Sequence, residues 1–137
     1  MKRTVLVLDD DSAVAGFVIA ILQHAGFSVL QATTGDEAIR LVESNSDPIR
    51  LLIADAILGT ASGRTVVDQI WVHRPELKVL FISGYPMADL ISRGILAPTD
   101  IESRRISFLQ KPFMPAELLR AIKNTLLKDA AADDDVR

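Results

Sequence analysis

Short apolar runs recur along this chain, and a longer segment with helical periodicity follows most of them. That alternation constrains the fold more than any other feature. Strands joined by helical crossovers pair in parallel and need apolar cover on both faces. Val5-Leu6-Val7-Leu8 does not alternate with polar residues, so it reads as a strand buried on both sides. Ser12 is placed to cap the following helix, where Val14, Phe17, Val18, Ile21, Leu22 and Ala25 repeat at helical spacing, and Gly26 is placed to end it. Phe27 to Ala32 is a second strand. Thr34-Gly35-Asp36-Glu37 matches a capping box and opens a helix over roughly Asp36 to Glu43. Leu51 to Ala54 is a third strand, and a loop from Ala56 to Ser62 leads to a helix carrying Val66, Val67, Ile70 and Trp71. Val79 to Ile82 is a fourth strand. The segment from Pro86 to Arg105 predicts a short helix near Met87 to Arg93 and then a loop through Pro98. Ile106 to Leu109 is a fifth strand. Pro115 suits a first helical turn, with Leu118, Leu119, Ile122 and Leu126 on the buried face. The pattern predicts an α/β fold, a five-stranded parallel sheet with helices on both faces.

With 137 residues the chain has room for one domain with a substantial core, and not comfortably for two. Apolar residues make up 49% of it, and 15 basic residues face 18 acidic ones. A net charge of −3 provides no basic stripe for nucleic acid. Without cysteine there are no disulfides and no thiolate metal sites. Lys2 and Arg3 precede an apolar run too short for a signal peptide. The stretch Ala13 to Leu22 is too short to span a bilayer. The expectation is a soluble, cytoplasmic protein without membrane association, with one domain over residues 1–128 and an acidic, disordered tail over 129–137.

Asp9, Asp10 and Asp11 follow the first strand directly, and no lysine or arginine comes after them before Arg40. Unit charges about 4 Å apart repel by roughly 4 kcal/mol at a near-surface dielectric, so the cluster needs a reason. In open parallel sheets, ligands bind outside the carboxyl ends of the strands. Asp55 ends the third strand, Ser83 and Gly84 follow the fourth, and Lys111-Pro112 follow the fifth. Two acidic positions, a hydroxyl and a lysine therefore converge on one edge. Such carboxylates suit a hard divalent cation, especially Mg²⁺, which relieves their repulsion. Together with a lysine and a hydroxyl they make a site for a transferring phosphoryl group. Asp55 is then the nucleophile, forming an acyl phosphate, and Gly84 leaves room for phosphate oxygens. Taken singly, each residue has a plainer reading as a cap, a turn residue or a solvated charge. Asp11 and Ser12 keep the capping role, but the plain readings do not explain the joint placement.

The acidic pair in "VLVLDDD", Asp55 with Gly63 eight residues on, "FISG" and "FLQKPF" together resemble a response-regulator receiver domain of two-component signalling, CheY-like, over residues 3 to 128. The "SGY" and "FLQKPF" wording is similar to receivers found with hybrid histidine kinases. The resemblance implies a flavodoxin-like (βα)5 fold and makes Asp55 the phosphoacceptor. It implies Mg²⁺, or Mn²⁺ in its place, on Asp10, Asp55 and the backbone carbonyl of Ile57, with Asp9 acting through water. Lys111 pairs with the phosphoryl group before a cis bond to Pro112. Ser83 swings toward the phosphate, and Phe108 is the aromatic switch that moves with it. The implied partners are a histidine kinase or histidine phosphotransfer protein, and then a downstream protein or a second copy, engaged through the helix 4–strand 5–helix 5 face. The domain assists its own phosphorylation and dephosphorylation but is not an enzyme acting on a separate substrate.

Three features depart from the family pattern. Leu58-Gly59 stands where Met-Pro is common, Ser83 replaces the commoner threonine, and the segment between Ser83 and Lys111 is longer than in the shortest members. Two other readings stay open. One is a haloacid-dehalogenase-type phosphatase with Asp9 as nucleophile, although Ala13 stands where threonine or valine is usual. The other is a receiver-shaped scaffold that is never phosphorylated. His24 and His73 read as helix C-terminal residues, Trp71 as packing, and Arg104-Arg105 as solvated edge charge.

Overall fold

The computed structural model describes residues 3–44, 48–59 and 61–128. The tail expected over 129–137 lies outside the described residues. Five parallel strands form one sheet in the order β2-β1-β3-β6-β7, where β1 is Thr4–Leu8, β2 Ser28–Ala32, β3 Ile49–Asp55, β6 Lys78–Ser83 and β7 Ile106–Gln110. A two-stranded antiparallel ribbon, β4 (Ile57–Leu58) and β5 (Ala61–Ser62), replaces part of the loop predicted after Asp55.

Helices α1 (Ser12–His24) and α6 (Pro115–Leu126) cover one face of the sheet. Helices α2 (Gly35–Ser44), α3 (Gly63–His73) and α4 (Met87–Ser92) cover the other. Side chains alternate along each strand, so Leu6, Leu52 and Phe81 enter the core under α2, α3 and α4. Val7, Ile53 and Leu80 enter the core under α1 and α6. Each such fully buried side chain contributes roughly 1.5–3 kcal/mol of transfer free energy. This explains why the strands read as continuous apolar runs.

The helix ends follow from local chemistry. The α1 cap is Asp11 rather than Ser12, because the Asp11 carboxylate reaches two free amides, those of Ala13 at 2.9 Å and Val14 at 3.3 Å. Gly26 ends the helix at φ +93°, where Gly26 N–H donates to Gln23 and Phe27 N–H to Leu22. At α2, the Thr34 hydroxyl accepts from Glu37 N–H, while the Glu37 carboxylate reaches back to Thr33 N–H. At α6, Pro115 opens the first turn and Glu117 accepts from Met114 N–H at 2.8 Å.

The loop predicted through Pro98 contains one further turn of helix, α5 (Pro98–Ile101). Proline in the first turn and Asp100 accepting from Ala97 N–H at 2.9 Å account for it. The spacing of Ala97, Pro98 and Asp100 carried that signal. No helix among the described residues is long and apolar enough to cross a membrane.

Candidate functional site

The register of the sheet gathers the strand ends. Leu8 lies opposite Ala54, Asp55 opposite Ile82, and Ser83 opposite Gln110, so the residues just beyond meet at one edge. Asp9, Asp10 and Asp55 each bring a carboxylate oxygen there, all within 4.8 Å of one another. Lys111 Nζ lies 3.1 Å from Asp55 Oδ2 and 3.8 Å from Asp9 Oδ2. One cation thus bridges the carboxylates that follow β1 and end β3.

The repulsion expected from three consecutive aspartates is resolved by separating their directions. Asp9 is buried, 4% exposed, and its Oδ1 accepts from Asp11 N–H at 2.9 Å. Asp10 and Asp11 are exposed, and Asp11 turns to cap α1. Burial pushes the Asp9 carboxyl above its usual range, and the Asp11 amide and Lys111 oppose that shift. The charges of Asp55 and Asp10 raise it further. A divalent cation beside these oxygens would counter the repulsion among them and offset part of the cost of burying Asp9. Among the described residues the donor set is three carboxylates with no nitrogen or sulfur ligand, which fits Mg²⁺.

Asp55 is held by its neighbours in sequence as well as by Lys111. Its Oδ1 accepts from Ile57 N–H at 2.9 Å. Gly63, at the start of α3, donates its N–H to Ala56 O at 2.8 Å. A Cβ at Gly63 would stand 2.2 Å from Asp55 O, so only glycine lets α3 approach the Asp55 backbone this closely.

Ser83 is 1% exposed, and its hydroxyl accepts from Tyr85 N–H at 3.0 Å. Its carbonyl accepts from Lys111 N–H at 2.8 Å, which ties the β6 and β7 ends together. A Cβ at Gly84 would meet nothing within 4 Å. The Lys111-Pro112 bond is cis, as the resemblance implied. At Gly59, φ is +60° and an added Cβ would lie 3.6 Å from Asp10 Oδ2, so this departure from the family pattern borders the cluster directly.

Phe108 stands apart from the carboxylates. It lies opposite Phe81 on β7, half-buried, and packs against the core on the α4 side. There it lines a groove with Met87, Leu96, Ile101 and Lys128.

Sequence reasoning missed a polar cluster beside that groove. Arg64 pairs with Asp100 and with Asp68, and its guanidinium lies 4.9 Å from the centre of the Trp71 ring. Arg105 stacks on the same ring at 3.6 Å and donates to Pro75 O at 2.6 Å. Arg105 is therefore a structural residue, not the solvated edge charge expected. Trp71 also donates its indole N–H to Leu77 O at 2.9 Å. His73 pairs with Glu43 across α2 and α3 at 3.1 Å, beyond the helix-end role expected.

A family model described as the response regulator receiver domain matches residues 5–123. The sensor kinase CckA of Brucella abortus is 30% identical over 127 residues, which is 93% of this chain but 13% of CckA. The response regulator receiver protein CpdR of Brucella abortus is 27% identical, with 93% of this chain and 98% of CpdR aligned. A crystal structure of the receiver domain from the hybrid histidine kinase CckA superposes with a TM-score of 0.71 at 28% identity, covering 90% of this chain and 98% of that one.

Proposed function

Because this chain belongs to the response regulator receiver domain family, we propose that it carries a two-component signal by accepting a phosphoryl group on Asp55. The donor is the phosphohistidine of a histidine kinase or histidine phosphotransfer protein. The observation that carries this reading is Lys111 Nζ at 3.1 Å from Asp55, within a three-carboxylate cluster at the strand ends.

One Asp55 carboxylate oxygen attacks phosphorus and forms the P–O bond of an acyl phosphate. The P–N bond breaks, and its electron pair returns to the imidazole. The Lys111 ammonium stays beside the phosphoryl oxygens as their charge is redistributed. The Ile57 amide, already donating to Asp55 Oδ1, orients the nucleophile. Asp10, Asp55 and the Ile57 carbonyl, with Asp9 through water, are the groups that would hold Mg²⁺, which would supply charge neutralisation for the phosphoryl group.

The Ser83 hydroxyl then turns from the Tyr85 amide to the phosphoryl group, and Phe108 follows into the space beside β7. The output is a protein contact, with a downstream partner or a second copy, on the face formed by α4, β7 and α6. Residues 1–128 form the unit that does this. The domain assists its own phosphorylation and dephosphorylation and turns over no separate substrate. The alternative of Asp9 as a phosphatase nucleophile has less support, since Asp9 is the more buried of the two and lies 3.8 Å from Lys111 Nζ, against 3.1 Å for Asp55.

Intact mass after incubation with Mg²⁺ and acetyl phosphate tests the reading. One added phosphoryl group, dependent on Mg²⁺ and absent from Asp55→Asn, is the expected result. Addition that survives Asp55→Asn but is lost in Asp9→Asn would favour the phosphatase chemistry. No addition, together with no Mg²⁺ binding in titration, would favour the scaffold.

A further inference from the structure

The groove lined by Phe108 measures about 370 Å³, and α5 forms part of its wall through Asp100 and Ile101. Two observations tie that wall to Asp55. The first is the contact at Gly63. An added Cβ would fall 2.2 Å from Asp55 O and 3.3 Å from Ala56 C, so the start of α3 is seated directly on the phosphoacceptor's backbone. Gly63 N–H also donates to Ala56 O at 2.8 Å, so the start of α3 is joined to this backbone by contacts that no side-chain rotation can relieve.

The second is the residue that follows. Arg64 donates from Nε to Asp100 Oδ2 at 3.3 Å and from Nη2 to Asp100 Oδ1 at 3.4 Å, a two-pronged contact. Asp100 is 8% exposed, and the same carboxylate holds the start of α5 through Ala97 N–H. The contact spans 36 residues and joins α3 to the segment that is longer here than in the shortest family members.

We propose that Arg64 is a positioning residue that transmits the state of Asp55 to the groove wall, by carrying α5 with the start of α3 through its fork on Asp100. The route is separate from Ser83 and Phe108, since it leaves the site through β3 and α3 rather than through β6 and β7. It rests on the phosphoacceptor reading of Asp55.

Amide hydrogen exchange on the full chain, with and without Mg²⁺ and acetyl phosphate, tests it in wild type, Asp100→Asn and Arg64→Lys. Intact mass of the same samples reports phosphorylation separately. Asp100→Asn keeps an acceptor for Ala97 N–H but loses the charge, and Arg64→Lys keeps the charge but loses the fork. On phosphorylation, wild type is expected to change exchange across residues 95–105 by about threefold or more, the range that linked side chains transmit. At equal phosphorylation, the variants are expected to lose that change while keeping faster exchange of the Tyr85 amide, which loses its acceptor when the Ser83 hydroxyl turns to the phosphoryl group. A merely structural staple would speed exchange equally in both states and leave the phosphorylation-dependent difference intact. That result in either folded variant overturns the coupling, as does a phosphorylated wild type with no change over 95–105. A wild-type chain that takes no phosphoryl group and binds no Mg²⁺ in titration overturns the phosphoacceptor reading itself, and the coupling with it.

Discussion

Two glycines in first turns or interiors of helices make opposite predictions for the same substitution. Gly63 opens α3 and Gly16 lies inside α1, and neither has a positive φ. A methyl group at Gly63 would meet Asp55 O at 2.2 Å, Asp55 C at 3.2 Å and Ala56 C at 3.3 Å. The closest of these is more than ~1 Å inside the ~3.5 Å of a normal contact. All three atoms are backbone, so relief requires moving α3 or the end of β3. Overpacking of this kind costs about 1–3 kcal/mol, and the absence of any rotatable neighbour places Gly63→Ala near 3. A methyl group at Gly16 meets nothing within 4 Å on an exposed helix face. There the substitution removes backbone freedom from the unfolded chain and should stabilise by about 0.5–1 kcal/mol. Urea unfolding of the two variants beside wild type, with the slope held constant, reads both shifts. Gly63→Ala should also take up phosphoryl more slowly from acetyl phosphate, because the Asp55 backbone has moved. A Gly63→Ala midpoint within ~0.5 kcal/mol of wild type would refute the close approach as the reason for glycine. Loss of stability in Gly16→Ala would refute the contrast.

Two further outcomes follow from the structure. Arg105→Ala should cost about 1–2 kcal/mol, combining a cation–π contact with a hydrogen bond to a backbone carbonyl, and should shift Trp71 emission. Arg104→Ala, at an exposed neighbour, should stay within ~0.5 kcal/mol of wild type, and equal losses in the two would count against the Trp71 stack. Lys128 is held below the usual lysine range, first by burial and then by the charge of Lys78. The unfolded chain therefore binds this proton more readily, and stability rises with pH across the alkaline window between the folded and unfolded lysine pKa values. Lys128→Met removes that contribution, so wild type should gain on the variant as pH is raised through that window. A constant difference in urea midpoint across that range would contradict the sign.

Most of the fold and the carboxylate cluster could be read from residue order because both depend on local rules. A strand buried on both faces must be apolar without alternation, and Val5-Leu6-Val7-Leu8 and Leu51 to Ala54 could be nothing else beside helical neighbours. Asp11, Gly26 and Pro115 mark helix ends through hydrogen bonds and φ values that involve only a few adjacent residues. A parallel sheet then sends every strand's carboxyl end to one edge, so Asp9, Asp10, Asp55, Ser83 and Lys111 meet without any side-chain detail. Tertiary structure alone decided which of these groups touch and which look elsewhere. Asp9 is buried against Lys111 while Asp11 faces solvent, a distinction the three identical residues do not carry. The fork of Arg64 on Asp100, the Arg105 stack on Trp71 and the seat of Gly63 on Asp55 depend on how helices cross the sheet. That geometry is set by packing between residues distant in the chain, and no local propensity records it.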